Sequence, residues 1–446
     1  MDTRLNIRDR QILAIALPSI VSNITVPLLG LIDVTIVGHL GSAAYIGAIA
    51  VGGMLFNIMY WLFAFLRMGT SGMVSQAYGS RNLAETVRLL IRAVSIALAV
   101  SAFIICLQIP LRDTALLLIS PTKEVSGLAM SYFNICIWGA PAVLSLYVLT
   151  GWFIGMQNSR IPMVVAIVQN IVNILASILF VYAAGMKVEG VALGTLVAQY
   201  VGLLTAVGLW LKHYGRLQKR APLRLVNFKD RNERRALCRF FNLNRDIFLR
   251  TLCLVAVTLF FTSAGASQGD TILAVNALLM QLFTLYSYVM DGFAVAGEAL
   301  VGKAVGANNS VLYSSSVRHL FIWGAIMAAM FTIVYAAGGT SFLGLLTNEP
   351  SVISASSAYL PWALLIPICG MAAFIWDGIF IGTTATRQML ISMFSATVVF
   401  FITYFTLYHP LANHGLWISF LCYLATRGIV QTVLYRNSRL FVQKRK

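Results

Sequence analysis

The stretches TGWFIGMQNSR (150–160) and DGIFIGTTATR (377–387) lie 227 positions apart and carry two glycines and an arginine at matching places. The same offset pairs Gly38 with Gly265, Gly79 with Gly306 and Asn82 with Asn309. All of these pairs fall in short polar breaks between apolar runs. One offset that holds from the first loop into the last third of each half marks two copies of a single structural unit. The surrounding chain is 59% hydrophobic and 11% charged over 446 residues, with a mean hydropathy of +0.82, a composition outside the range of soluble globular domains. The chain therefore reads as a duplicated membrane protein, an architecture common among transporters.

Apolar stretches of about 20 residues, enough for the hydrocarbon layer, predict twelve helices near 11–38, 44–76, 88–111, 126–155, 161–184, 189–211, 246–267, 271–300, 317–340, 354–382, 388–408 and 414–435. The first run is too long for a signal-peptide core and holds Pro18, Pro27 and Asp33, so it is expected to be retained. Basic residues set the orientation. Arg4, Arg8, Arg10, Arg81, Arg160, Lys303 and Arg387 lie on one set of connections, with Arg436, Arg439, Lys444, Arg445 and Lys446 at the end. The other set has only Arg112, Lys123 and Lys187, each near an acid. Both termini are thus expected to be cytoplasmic.

The longest polar stretch, 212–245, carries eleven Lys or Arg against Asp230 and Glu233. It divides the chain into an N-terminal lobe (1–211), a basic cytoplasmic linker (212–245) and a C-terminal lobe (246–446). The linker's charge serves either topology or contact with anionic lipid. Because six helices return the chain to its starting side, the two copies are parallel repeats. The expected fold is all-α and polytopic, with two six-helix repeats around a central cavity.

The net charge of +17 does not point to nucleic acid, because the basic residues sit between and beyond apolar runs instead of on one soluble surface. The six cysteines show no metal spacing, and Cys106, Cys136, Cys253, Cys369 and Cys422 fall in apolar runs with Cys238 in the basic linker. Hydrolytic motifs and a nucleotide-binding loop are absent. The glycine-bearing strings GTSGMVSQAYGS (69–80) and AGEALVGKAVGA (296–307) read as close helix packing through small residues. No catalytic residue, metal or cofactor is expected, and an ion gradient must supply the energy.

Of fifteen acids, only Asp33, Asp291, Glu298 and Asp377 fall within predicted spans away from their ends. A carboxylate inside a membrane is costly and marks a functional site. Asp33 follows Pro27 by six residues, and proline removes a backbone hydrogen bond and permits a kink. Burial disfavours the charged form of a carboxylate, so a pH difference could switch Asp33 between two helix packings. The alternative is a structural aspartate satisfied by Asn170, Asn173 or threonine hydroxyls. Asp291 and Glu298 are seven apart and share one helix face; with Asp377 they form the competing cation-site candidate. Basic residues within the spans are nearly absent, Arg67 being the exception, read as an ion pair or a snorkelling side chain. Met54, Tyr60, Trp61, Met280, Tyr286 and Met290 suit either an adaptable cavity or the core and lipid-facing surface.

ALPSIVSNITVPLLGLIDVTIVGHLG (16–41), LRMGTSGMVSQAYGS (66–80), MDGFAVAGEALVGKAVGA (290–307) and DGIFIGTTATR (377–387) together resemble the multidrug and toxic compound extrusion (MATE) family, and within it the DinF-like branch. The resemblance covers essentially the whole chain. It implies a monomeric antiporter of a bacterial inner membrane that exports small amphipathic, often cationic compounds in exchange for H⁺ or Na⁺. It matches Asp33 to the branch's N-lobe protonation aspartate, Pro27 to the bending proline, Asn170 and Asn173 to a polar cluster on helix 5, and Asp377 to the helix 10 aspartate of Na⁺-coupled relatives. Two departures stand out. Ser177 replaces a second N-lobe aspartate, and helix 7 has no acid within its apolar stretch, which disfavours Na⁺. The competing readings are Na⁺-coupled efflux through the C-lobe acids and flipping of a lipid-linked precursor.

Overall fold

The computed structural model describes residues 3–38, 42–119, 121–220, 231–346 and 349–438, and every regular element among them is helical. In chain order these are α1 (Thr3–Gly38), α2 (Ala43–Leu62), α3 (Phe65–Gly79), α4 (Leu83–Cys106), α5 (Gln108–Ile119), α6 (Lys123–Cys136), α7 (Ala140–Gly155), α8 (Arg160–Ile178) and α9 (Val188–Tyr214). They continue with α10 (Arg231–Ala266), α11 (Asp270–Gly306), α12 (Ser310–Leu346), α13 (Pro350–Gly382), α14 (Thr386–Leu411) and α15 (Asn413–Ser438). Eleven stretches among the described residues are long and apolar enough to cross a membrane. With the 36-residue α1 they make the twelve expected spans of an all-α polytopic membrane protein.

Three spans differ in detail from the sequence reading. The second is broken into α2 and α3 at Phe63–Ala64, and a 3₁₀ turn at Ile137–Gly139 separates α6 from α7. The third ends at Cys106 instead of running to 111, and a separate helix, α5, follows. Pro110 lies in the first turn of α5, where its missing N–H costs nothing, and it prevents α4 from continuing.

Much of the expected linker is helical. After Tyr214 a 3₁₀ turn covers Gly215–Arg220, and α10 starts at Arg231. Within α10, Leu237, Phe240, Leu243 and Ile247 are buried at helical spacing, while Arg234, Arg235, Arg239 and Arg245 are exposed. Glu233 fixes this segment. Arg92 of α4, only 5% exposed, donates to both Glu233 oxygens at 2.8 and 2.9 Å and to Glu85 at 2.7 Å. Such a two-pronged guanidinium–carboxylate bond is strong and directional. Residues 221–230 and the terminal basic residues Arg439, Lys444, Arg445 and Lys446 lie outside the described residues.

The chain forms two compact units, one of residues 21–240 and one of residues 1–20 with 241–446. The first half of α1 thus packs with the C-terminal unit and the second half with the other, and α10 is divided in the same way near Phe240.

The internal repeat is carried by backbone geometry. Arg81 and Asn308, Gln157 and Thr384, and Gly185 and Ala412 all have positive φ, between 45° and 70°, and each pair is 227 positions apart. Left-handed backbone costs a non-glycine residue about 1–2 kcal/mol, so its recurrence at one offset reflects a shared turn. Asn82 N–H bonds Ala77 O and Asn309 N–H bonds Ala304 O, while Asn158 N–H bonds Phe153 O and Ala385 N–H bonds Phe380 O. These six-to-one bonds close helix C-termini. The Asn82 and Asn309 side chains then cap the following helices by accepting from Glu85 N–H at 3.1 Å and Leu312 N–H at 2.8 Å.

Glycine contacts follow the same offset. A Cβ on Gly151 would strike the Arg67 carbonyl and one on Gly378 the Ala294 carbonyl. Gly155 approaches the Ser71 carbonyl and Gly382 the Glu298 carbonyl, leaving a Cβ 3.0 and 2.8 Å away. These pairs hold α7 against α3 and α13 against α11.

Candidate functional site

In the 21–240 unit, the second half of α1 lies along α8. Asn170 Nδ2 donates to the Thr25 carbonyl at 3.2 Å, and the Tyr182 hydroxyl, in the π-helical turn after α8, donates to the Ile36 carbonyl at 3.2 Å. The two contacts bracket both Pro27 and Asp33. In the structure α1 is continuous through Pro18 and Pro27, and the Pro27 side chain is exposed.

Asp33 is buried, 6% exposed, and its Oδ1 has no hydrogen-bond partner. Tyr132 and Cys136 of α6 are among its titratable neighbours. Asn173 is fully buried and donates to the Thr195 hydroxyl of α9 at 3.0 Å. The two amides considered as partners for Asp33 therefore bond Thr25 and Thr195. Ser177 is buried against Gly194 of α9, where a Cβ would overlap its hydroxyl. Small residues recur along that face of α9 at Gly190, Gly194, Ala198 and Gly202, a four-residue spacing that lets two helices approach closely. Arg67 is half-buried beside Tyr147.

In the unit of residues 1–20 and 241–446, Asp377 on α13 is the centre of an ion cluster. Arg250 of α10 and Arg427 of α15 both donate through Nη2 to its Oδ2, and Gln431 Nε2 donates to Oδ1 at 2.6 Å. All four side chains are buried. Arg427 also lies over the Phe374 ring, 5.7 Å from its centre, and interacts electrostatically with Asp291. Asp291 is exposed on α11, whereas Glu298, two turns on, is buried. The C-lobe acids are therefore not gathered into one carboxylate cage.

The sequence reading missed Arg250, Arg427 and Gln431, and its view that basic residues are nearly absent from the spans is corrected here. Both arginines fall inside predicted spans, where they offset the cost of burying the Asp377 carboxylate in its charged form. Of the side chains considered for a cavity, Tyr60, Tyr286 and Met290 are buried, while Met54 and Trp61 are exposed.

Residues 18–179 and 247–406 match the MatE family model. The chain is 37% identical over 430 residues to DNA damage-inducible protein F of Escherichia coli K12, covering 96% of this chain and 92% of that protein. It is 23% identical to the probable multidrug resistance protein NorM of Acinetobacter baylyi, over 98% of this chain and 97% of the relative. Among solved structures, the Vibrio cholerae MATE transporter VcmN in its bent form superposes with a TM-score of 0.87 at 16% identity, over 99% of this chain and 100% of that one.

Proposed function

The chain belongs to the MatE family, and from that premise we propose that it is a secondary active efflux transporter, exporting amphipathic or cationic compounds in exchange for protons through Asp33. The observation that carries this reading is the contrast between two buried carboxylates. Asp377 shares its oxygens among Arg250, Arg427 and Gln431, while Asp33 keeps a buried oxygen without a partner. An uncompensated buried carboxylate is costly by several kcal/mol. A proton or a cationic substrate would each relieve that cost, and the two exclude one another. Mutually exclusive binding at one charge is the minimum needed for exchange.

In this reading Asn170 and Tyr182 hold the half of α1 that carries Asp33, and Pro27 supplies the place where that half changes direction. Protonation then shifts the balance between two packings of α1, and alternating access follows from their different affinities for substrate. The Asp377 cluster ties α10, α13 and α15 together and leaves its acid engaged, which favours H⁺ over Na⁺ as the coupling ion. The protein would act in a bacterial inner membrane with both termini in the cytoplasm.

Inside-out vesicles holding the purified protein test the proposal through uptake of a fluorescent lipophilic cation. Uptake driven by an acidic interior, lost in Asp33→Asn, is the expected result. Uptake driven by Na⁺ and retained in Asp33→Asn would overturn it.

A further inference from the structure

The first turns of α10 present a face made largely of arginine. At 3.6 residues per turn, Arg231, Arg234, Arg235 and Arg239 fall within roughly 140° of the helix circumference, and all four are exposed. Glu233, Leu237 and Phe240 lie on the opposite side, the last two buried. Cys238 and Asn242 complete the exposed face, and Phe241, 55% exposed, flanks it. A solvated helix face ordinarily mixes both signs of charge. Among the described residues, this one holds no acid.

The two acids near this face are already engaged. Arg92 of α4 bonds both Glu85 and Glu233. Arg88, on the same side of α4 with its side chain 53% exposed, lies 3.6 Å from Glu85 and close to Glu233. The 3₁₀ turn Gly215–Arg220 packs on α4 and adds the exposed Arg216. Of the other described acids in this unit, Asp33 is buried, and Asp113, Glu124 and Glu189 lie at the opposite ends of the spans. The surface therefore carries a large excess of positive charge. Its depth is set by the Arg92–Glu233 bond. Arg92 is nine residues into α4, a helix long and apolar enough to cross a membrane, which is about 14 Å along its axis at 1.5 Å per residue. The start of α10 is thus held beside the end of a span and not out in open solvent.

We propose that this surface binds anionic phospholipid, with headgroup phosphodiesters at Arg234, Arg235 and Arg239 and the Phe241 ring toward the acyl chains. Guanidinium forks match phosphate oxygens, and a basic cluster beside a span attracts anionic headgroups. Of the two roles open to the basic linker, topology requires only a number of positive charges on one side of the membrane. It gives no reason for the arginines to share one face at the edge of a span while Arg92 engages both neighbouring acids. The arginines of this surface all belong to the unit of residues 21–240. The inference requires that the chain spans a membrane and does not depend on the direction or coupling of transport.

The test titrates phosphatidylglycerol and phosphatidylcholine onto the delipidated full chain in detergent, read by native mass spectrometry and, separately, by the rise in melting temperature at two salt concentrations. Phosphatidylglycerol should bind more tightly and stabilise more. Its advantage should shrink between 0.1 and 1 M salt, where the Debye length falls from about 10 to about 3 Å. Replacing Arg234, Arg235 and Arg239 together by glutamine should weaken phosphatidylglycerol binding about a hundredfold, from about fivefold each at ~1 kcal/mol per basic residue near a membrane surface. A control triple, Arg318→Gln, Arg387→Gln and Arg436→Gln, removes the same charge from exposed positions of the other unit and should leave the affinity close to wild type. The salt comparison uses wild type alone and stands even if a variant folds poorly. Binding should persist in Asp33→Asn, which separates this result from failure of the transport reading. Equal affinity for the two lipids, equal losses in the two triples, a preference unchanged at high salt, or equally effective competition by inorganic phosphate would each overturn the proposal.

Discussion

Replacing Asp377 with asparagine removes the shared acceptor of two buried guanidiniums while keeping the side-chain shape. Arg250 and Arg427 are 7% and 3% exposed, so neither can recover full hydration without moving a helix. Breaking a buried ion pair by removing one partner costs about 3–5 kcal/mol. For a unit of 150–250 residues each kcal/mol shifts the melting temperature by about 2–4 °C, so Asp377→Asn should melt roughly 6–20 °C below wild type. Replacing the whole cluster with apolar residues (Arg250→Met, Asp377→Leu, Arg427→Met) should recover most of that loss, because buried ion clusters exchanged for well-packed apolar side chains are often neutral or stabilising. Thermal unfolding in detergent, followed by intrinsic fluorescence, measures all three proteins. If Asp377 is held as described, Na⁺ should raise the melting temperature of wild type no more than K⁺ at equal ionic strength. A wild type stabilised specifically by Na⁺, together with an Asp377→Asn variant that melts normally and has lost that stabilisation, would refute the reasoning by showing a carboxylate open to a cation.

Gly151→Ala and Gly378→Ala should each destabilise by about 1–3 kcal/mol, because the new methyl meets a backbone carbonyl of the neighbouring helix; chemical or thermal denaturation of the two variants should give similar losses. Asn170→Ala and Tyr182→Phe each delete one bond to the backbone of α1, worth about 0.5–1.5 kcal/mol. Cysteines introduced beside Pro27 should then label faster than in the parent, and faster still in the double variant. For a monovalent cationic substrate, exchange of one proton moves no net charge, so a membrane potential worth ~2.3 kcal/mol per 100 mV should leave the rate unchanged, while a pH difference contributes ~1.4 kcal/mol per unit. A substrate-dependent current in proteoliposomes would require a second coupling charge.

The features legible in the sequence are those that shape the backbone. Gly151, Gly155, Asn82 and their counterparts at 378, 382 and 309 were visible as an offset, and the structure gives their reason in carbonyl contacts, left-handed turns and caps. The charged residues of the candidate sites do not follow the offset. Asp33 stands opposite Phe260, Asp377 opposite Thr150, Arg250 opposite Asn23 and Arg427 opposite Tyr200, so the repeat that reveals the fold hides the ion cluster. A simple balance of charges within spans 246–267 and 414–435 would have exposed both arginines. Charge also masked the helix at 231–245, although Leu237, Phe240 and Leu243 keep a helical period. No sequence signal announces the bonds from Asn170 and Tyr182 to α1, because a carbonyl acceptor is present at every position and only packing selects one.

The most direct measurement counts protons released when a monovalent cationic substrate binds the purified protein in weakly buffered detergent solution. If proton and substrate compete for Asp33, wild type should release about one proton per substrate at a pH where the carboxyl is protonated, and Asp33→Asn should bind with no release. Release that persists in Asp33→Asn, or binding in wild type that requires Na⁺ and releases no proton, would contradict the account.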